Sequence, residues 1–156
     1  MFERDEFWMR KAIEAAEAAR DLDEVPVGAC LIDRNGELLA VAGNRTITFN
    51  DPTAHAEILV LREAGEKIGN YRLTETALYT TIEPCAMCAG ALVNARIERL
   101  IFGAHDIRFG AVESVFQICD SSSLNHQIDI TGGVSAEECR ALMQDFFRAR
   151  RIVKSV

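Results

Sequence analysis

The segment ALYTTIEPCAMCAGALVNARIERLIFGAH, residues 77–105, contains the clearest pattern of secondary structure in the chain. Residues 77–82 and residues 99–105 are short runs of apolar, aromatic and β-branched residues, which predict two strands. A helix is predicted between them from Pro84, because proline suits the first turn of a helix. Two strands joined through a helix are expected to be parallel, with a right-handed crossover. The segment therefore predicts a β-α-β unit.

The flanking sequence adds an antiparallel pair and further helices. VPVGACLID (25–33) and ELLAVAGN (37–44) are strand-like runs separated by Asn35-Gly36, the strongest short hairpin signal. The other predicted elements are helices over 6–20, over 53–64 with Asn50 or Asp51 as cap, around 112–119 and from Ser135 to about Arg151, and a short strand over 127–131. Together they predict an α/β fold: a three-layer α/β/α sandwich around a mixed sheet of about five strands.

Composition and length predict one soluble domain over residues 1–156. Apolar residues make up 49% and charged residues 26%, the balance of a globular protein. No apolar run is long enough to span a membrane, and the first residues do not resemble a secretory signal. We therefore expect a cytoplasmic protein. Its five cysteines, an odd count, are then reduced, and a close cysteine pair favours metal or redox chemistry.

Two short motifs, His55-Ala56-Glu57 and Pro84-Cys85-Ala86-Met87-Cys88, predict a metal site. Cys85 and Cys88 are three residues apart on a helix and share one face. In the first turn, free backbone N–H groups and the helix dipole favour the thiolate form that binds metal. A catalytic zinc takes three protein ligands and leaves one position for water, so a histidine is needed and His55 is the candidate. We expect one zinc ion per chain, held by His55, Cys85 and Cys88.

Glu57 is predicted to be the proton shuttle of this site. It lies two residues from His55, so the two side chains do not share a helix face and Glu57 is not expected to be a ligand. Both can reach a site beyond the end of the helix. Zinc lowers the pKa of its water from about 15.7 to about 7, and a neighbouring carboxylate can take that proton and return it to a substrate.

Other interpretations of the motifs are weaker. A Cys-x-x-Cys pair alone could be a redox pair, and an isolated His-x-Glu triplet is common. A structural zinc module would need a fourth Cys or His ligand and would leave Glu57 without a role. A third alternative is that the cysteines and the histidine are buried core residues that bind no metal. That alternative would not explain why both motifs lie at the start of a predicted helix. Their combination favours a hydrolytic zinc enzyme.

The chain also resembles a known family. AHAEILVLREA (54–64), TTIEPCAMCAGALVNARI (80–97) and FFRARR (146–151) are similar to the bacterial tRNA adenosine deaminases, from about residue 5 to residue 151. His-x-Glu followed by Pro-Cys-x-x-Cys is the zinc deaminase signature. The resemblance implies a cytidine-deaminase-like fold, one zinc per subunit, a homodimer, and conversion of adenosine to inosine at the wobble position of a tRNA anticodon stem-loop.

The same resemblance implies residues that contact the substrate. Asn44 would contact the target base, and Glu24 to Val27 would line its pocket. Ala54 would contribute through its backbone, and Asp106 would touch the neighbouring ribose. Each of these positions matches the family only by motif, since spacing and composition alone would place Asn44 in an ordinary turn.

A second substrate class remains open from the sequence: a free nucleobase or nucleoside, such as guanine or cytosine. The zinc motif is common to both classes. A net charge of -7 opposes general binding to nucleic acid, and segment 103–115 departs from the family pattern, with Glu113 in the place of a glycine. The full-length resemblance favours tRNA. RNA affinity would then depend on local cations, among them Arg148, Arg150, Arg151 and Lys154.

Overall fold

The computed structural model describes the backbone of residues 2–154 and the side chains of residues 4–151. The described residues form four helices and five strands. In chain order they are α1 (Phe2–Asp21), β1 (Gly28–Ile32), β2 (Leu38–Gly43), α2 (Ala56–Ile68), β3 (Ala77–Ile82), α3 (Ala86–Ala95), β4 (Arg99–Ala104), β5 (Asp129–Gly132) and α4 (Ala136–Lys154).

The five strands form one mixed sheet in the order β2-β1-β3-β4-β5. β1 is antiparallel to both β2 and β3, whereas β3, β4 and β5 are parallel to one another. The tight turn between β1 and β2 places Gly36 at φ 77°, a left-handed conformation that glycine adopts without strain. The predicted hairpin and the predicted parallel pair β3–β4 are therefore confirmed.

Helices cover both faces of the sheet, which confirms the three-layer α/β/α sandwich. α2 and α3 bury one apolar cluster that includes Val60, Leu92 and Phe102. α1 and α4 lie over the opposite face, where the second cluster includes Met9 and Ile13. α1 can pack closely against β2 because Gly43 has no side chain. A Cβ atom at this position would lie 2.5 Å from the carbonyl oxygen of Ala15. The single domain over residues 1–156 stays a prediction.

The predicted start of α2 is wrong. The helix begins at Ala56, not near residue 53, and its N-cap is His55 rather than Asn50 or Asp51. Asp51 instead accepts hydrogen bonds from the backbone N–H and the hydroxyl of Thr53, at 2.8 and 2.7 Å. Because the Asp51 carboxylate is bonded within this local turn, it does not cap a helix starting near residue 53. The helix therefore begins only after His55.

The predicted short helix around 112–119 is also wrong, because this segment forms turns. The backbone N–H groups of Val112, Glu113 and Ser114 all donate to one oxygen of Glu83, at 2.8 to 3.1 Å. Such convergence also occurs at the start of a helix, but the helical pattern does not follow here, because the N–H of Val115 donates to the carbonyl of Gly110, five residues earlier rather than four. Among the helices of residues 2–154, none combines the length and apolar character that crossing a membrane requires.

Candidate active site

The three predicted metal ligands lie at the start of two neighbouring helices. His55 is the N-cap of α2 and Cys85 is the N-cap of α3, both with extended backbone. Cys88 lies in the first turn of α3 and is buried. The prediction that α3 starts at Pro84 is off by two residues, because the carbonyl of Pro84 accepts the N–H of Ala111 outside the helix. The N-terminal ends of both helices therefore point into one site.

The distances between the three side chains fit a tetrahedral metal ion. The Nδ1 atom of His55 lies 3.6 Å from Sγ of Cys85 and 3.4 Å from Sγ of Cys88. All three ligand atoms lie within 4.8 Å of one another. Nitrogen and sulfur ligands of one zinc ion, bonded at about 2.0–2.1 and about 2.3 Å, stand about 3.6 Å apart in a tetrahedral site. This donor set therefore suits zinc and leaves a fourth position open.

Glu57 reaches the same site from the first turn of α2. The residue is 4% exposed, and its Oε1 atom has no hydrogen-bond partner among the described residues. Leaving a buried carboxyl oxygen unpaired costs free energy, so such an atom is expected only where a ligand completes it. The unpaired Oε1 atom is a second observation, independent of the three ligands, that indicates a bound group here.

Electrostatics separates the roles of these side chains. A hydrogen bond from Cys88 and, more weakly, the contact with His55 lower the pKa of Cys85 to about 4, against the opposing effect of burial. The pKa of Cys88 is raised, chiefly because it donates that hydrogen bond to Cys85. The pair therefore retains one proton, which a metal cation would displace. Burial raises the pKa of Glu57 to about 7, a value suited to both accepting and releasing protons.

Three of the predicted substrate residues lie on segments that adjoin His55. Asn44 is 7% exposed, and its backbone N–H donates to the carbonyl of Val27 at 3.0 Å. The backbone N–H of Arg45 donates to the carbonyl of Ala54 at 2.9 Å. The first bond joins Asn44 to Val27, and the second joins the residue after Asn44 to Ala54, which lies just before α2. Their contacts with a substrate stay predictions.

Glu24, predicted to line the pocket, is fully buried. Its carboxylate accepts hydrogen bonds from the backbone N–H groups of Ile47 and Thr48 and from the Thr48 hydroxyl, at 2.6 to 3.2 Å. Burial would raise the pKa of Glu24, but the hydrogen bonds from Thr48 and Ile47 lower it below its usual value. The carboxylate therefore holds the turn that follows Asn44, a role that the sequence did not reveal.

Asp106 lies just beyond β4, on the loop that follows the strand. Its Oδ1 atom accepts the backbone N–H groups of Arg108 and Phe109, at 3.0 and 3.1 Å. Its own N–H donates to Oε1 of Glu83 at 3.0 Å. Sequence reasoning missed Glu83, and the available signal was an acidic residue placed between a buried strand and Pro84. Burial would raise the pKa of Glu83, but hydrogen bonds from Ser114 and from backbone N–H groups hold it at about 2.

The arginines of the C-terminal tail make local contacts. Arg148 pairs with Asp145 at 3.1 Å, and Arg150 donates to the carbonyl of Asp23 at 2.6 Å and lies over the ring of Phe146. Arg151 is also engaged. The Lys154 side chain lies outside those that the structure describes. Arg148 is exposed beside its carboxylate partner, so its charge remains near the surface.

Comparison with known proteins agrees with this geometry. The model of the MafB19-like deaminase family matches residues 3–151. The tRNA-specific adenosine deaminase of Haemophilus influenzae is 47% identical over 154 residues, 99% of this chain and 89% of that protein. A solved structure from a study of adenosine-to-inosine editing by tRNA deaminases at the wobble position matches at a TM-score of 0.84 and 43% identity, covering 87% of this chain and 98% of the other. A guanine deaminase of Nitrosomonas europaea matches at a TM-score of 0.80 and 26% identity, with coverage of 90% and 83%.

Proposed function

This chain belongs to the deaminase family of the tRNA-specific adenosine deaminases, and we propose that it converts adenosine to inosine at the wobble position of a tRNA anticodon. The observation that carries the hydrolytic chemistry is the unpaired, buried carboxyl oxygen of Glu57 beside the His55, Cys85 and Cys88 cluster. The tRNA substrate is supported by the 47% identity to the tRNA-specific adenosine deaminase of Haemophilus influenzae. A hydrolytic deaminase needs such a proton carrier next to activated water.

In this mechanism His55, Cys85 and Cys88 would hold one zinc ion, which would activate a water molecule at neutral pH. The carboxylate of Glu57 takes a proton from the attacking water and passes it to the departing amino group, so that adenosine and water become inosine and ammonia. Burial keeps Glu57 away from bulk solvent, and the proton it holds is therefore available to the substrate rather than lost to water.

Four further residues are proposed to bind the substrate. Asn44, a buried polar side chain on the segment before His55, would contact the base, and Val27 would pack beside it. Ala54 would contribute a backbone group, since a carbonyl oxygen that already accepts one hydrogen bond has a second lone pair. Asp106 would contact the neighbouring ribose through its Oδ2 atom, because Oδ1 already accepts two backbone N–H groups.

Deamination of a free nucleobase is not favoured. Guanine deaminases share the fold, but the matching enzyme from Nitrosomonas europaea is 26% identical, against 47% for the tRNA-specific relative from Haemophilus influenzae. A base stacked and paired in a duplex is out of reach of such a site, whereas a splayed base of a loop can enter it. The anticodon loop therefore suits both the relatives and the chemistry.

We expect the zinc-loaded protein to deaminate an anticodon stem-loop with adenosine at the wobble position. Because the net charge is -7, RNA affinity must come from local cations such as Arg148, and each phosphate contact contributes about -0.7 to the slope of log affinity against log salt. The apparent affinity should therefore fall steeply with salt. Mass analysis of the RNA for inosine measures turnover across a salt series.

Two controls make this experiment decisive. A stem-loop with guanosine at the wobble position should remain unchanged, and free guanine, cytosine and adenosine should be turned over poorly. Replacing Arg148, Arg150 and Arg151 with Ala should weaken binding and flatten the salt slope while the zinc content stays constant. Turnover of free guanine or cytosine, independent of salt and of these arginines, with an untouched stem-loop, would replace the tRNA proposal by the nucleobase one.

We also propose a homodimer. Large apolar side chains remain exposed on the described surface, among them those of Ile107, Phe109, Val115 and Phe116 on one loop. Apolar groups concentrated in this way commonly mark a surface that contacts another macromolecule. Light scattering at micromolar concentration should give about twice the subunit mass of 17.3 kDa. A mass near that of one subunit would contradict the dimer.

A cytoplasmic location is proposed from the thiols. All five cysteines are unpaired, and four of them, Cys30, Cys88, Cys119 and Cys139, are buried. Free thiols and a thiolate metal site persist in a reducing compartment, where disulfides are rare.

A further inference from the structure

Glu83 is a buried carboxylate whose two oxygens are both fully used by one loop. It lies between the end of β3 and Pro84 and is 2% exposed. Its Oε1 atom accepts the N–H of Asp106 at 3.0 Å and the hydroxyl of Ser114 at 2.5 Å. Its Oε2 atom accepts the N–H groups of Val112, Glu113 and Ser114, at 3.1, 2.8 and 2.9 Å. Segment 106–114 therefore folds around a single carboxylate.

The loop is shaped to admit this carboxylate. A Cβ at Gly110 would stand 2.5 Å from Oε1 of Glu83 and 2.5 Å from the carbonyl oxygen of Asp106, which is closer than real Cβ contacts. Glycine at this position lets the loop backbone close over the carboxylate. Converging backbone N–H groups form a concavity that binds negative charge, and here the charge comes from the chain itself.

The same carboxylate connects this loop to the metal-ligand cluster. Glu83 is two residues before Cys85, and the Pro84 carbonyl between them accepts the N–H of Ala111 at 2.8 Å. On the other side, Asp106 is fixed by its N–H to Glu83 and by its Oδ1 atom, which closes a turn on Arg108 and Phe109. The position of Asp106 relative to Cys85 therefore depends on Glu83.

We propose that Glu83 is a positioning residue that holds loop 106–114 at the rim of the active site and so sets the affinity for the RNA substrate. The inference deepens the proposed tRNA function and rests on it. Glu83 contacts neither the metal ligands' donor atoms nor, in this role, the reacting base. It acts through Asp106 and through the backbone of loop 106–114.

A glutamine cannot replace this carboxylate. Five donors converge on two oxygens that only accept, whereas a glutamine has one oxygen and one NH₂ group that only donates. With its oxygen turned toward the three N–H groups of Val112, Glu113 and Ser114, its NH₂ group can donate to the Ser114 hydroxyl. That same NH₂ group then faces the N–H of Asp106, which loses its acceptor. Glu83→Gln therefore removes the acceptor of Asp106 and leaves only a weaker, neutral acceptor for residues 112–114.

The test compares the zinc-loaded Glu83→Gln variant with wild type in two measurements. Amide hydrogen exchange should become at least about tenfold faster at Asp106 and over residues 112–114, because a charge-assisted hydrogen bond is lost or weakened. KM for the wobble-adenosine stem-loop should rise by about tenfold or more, and kcat should fall by a smaller factor. Zinc content should stay near one per chain.

The matched control is Asp5→Asn. Asp5 is also a buried carboxylate, and it accepts from Tyr79 and Arg99 at the opposite end of the β3–β4 pair. The Asp5→Asn variant should lower the overall stability of the protein. It should not accelerate amide hydrogen exchange at residues 112–114 or raise KM. Equal effects of the two variants on the loop and on KM would reduce Glu83 to a general stabilising residue and overturn the proposal.

Two further outcomes are decisive. Unchanged exchange in Glu83→Gln, or faster exchange with unchanged KM, contradicts the positioning role. If Glu83→Gln does not fold, Ser114→Ala removes only the hydroxyl donor to Oε1, and it should change exchange and KM in the same direction by a smaller factor; no change refutes the proposal. Failure of wild type to act on the stem-loop would refute the tRNA function instead, and the exchange measurement would still show whether Glu83 holds the loop.

Discussion

Replacing Glu57 with Gln is expected to lower kcat by about 10²–10⁴-fold while zinc stays near one ion per chain. Glutamine has nearly the shape of glutamate but cannot accept and return a proton. The metal ligands are His55, Cys85 and Cys88, so the variant should still bind zinc. Single-turnover formation of inosine in the stem-loop, together with metal analysis of the same sample, measures both effects.

The fold is expected to survive this substitution. The Oε1 atom of Glu57 is buried without a partner, so a neutral amide removes the cost of burying a charge and adds no cavity. Glu66→Gln, at an exposed position of the same helix, is the matched control and should retain wild-type turnover. Activity of Glu57→Gln within tenfold of wild type would assign the proton transfer to another group.

Replacing both Cys85 and Cys88 with Ala is expected to abolish zinc binding and to reduce turnover to background. A catalytic zinc held by only one histidine has lost two of its three protein ligands, and thiolates are the ligands with the greatest preference for this metal. The wild-type protein should contain about one zinc per chain. Metal analysis after dialysis against a weak chelator measures the difference.

Cys119→Ala provides the control for this experiment. Burial raises the pKa of Cys119 to about 12, so it stays a protonated thiol and is a poor metal ligand. Its side chain contributes to the core beneath α3, and its loss should lower stability modestly while zinc and turnover persist. Full zinc in the double variant of Cys85 and Cys88 would disprove the ligand assignment.

The β-α-β unit and the hairpin could be predicted from the sequence because their signals are local. Apolar runs predict the strands, Asn35-Gly36 predicts the turn between the first two strands, and Pro84 predicts the start of a helix. Each signal consists of only a few neighbouring residues. The starts of α2 and α3 were placed wrongly for a related reason. Asp51 and Pro84 are residue types that commonly occur at the start of a helix. Here, however, the Asp51 carboxylate accepts the N–H of Thr53, and the Pro84 carbonyl accepts the N–H of Ala111.

The α/β class, the β-α-β crossover and the two motifs that contain His55, Glu57, Cys85 and Cys88 can be predicted from the sequence, because their signals lie within short stretches of the chain. The carboxylates that support the site are identified by tertiary contacts alone. Glu83 and Glu24 each bind backbone N–H groups more than twenty residues away. Residue type and spacing do not predict such contacts, because almost every residue has the same backbone N–H group. Which side chain accepts a given N–H depends on how the strands and helices pack.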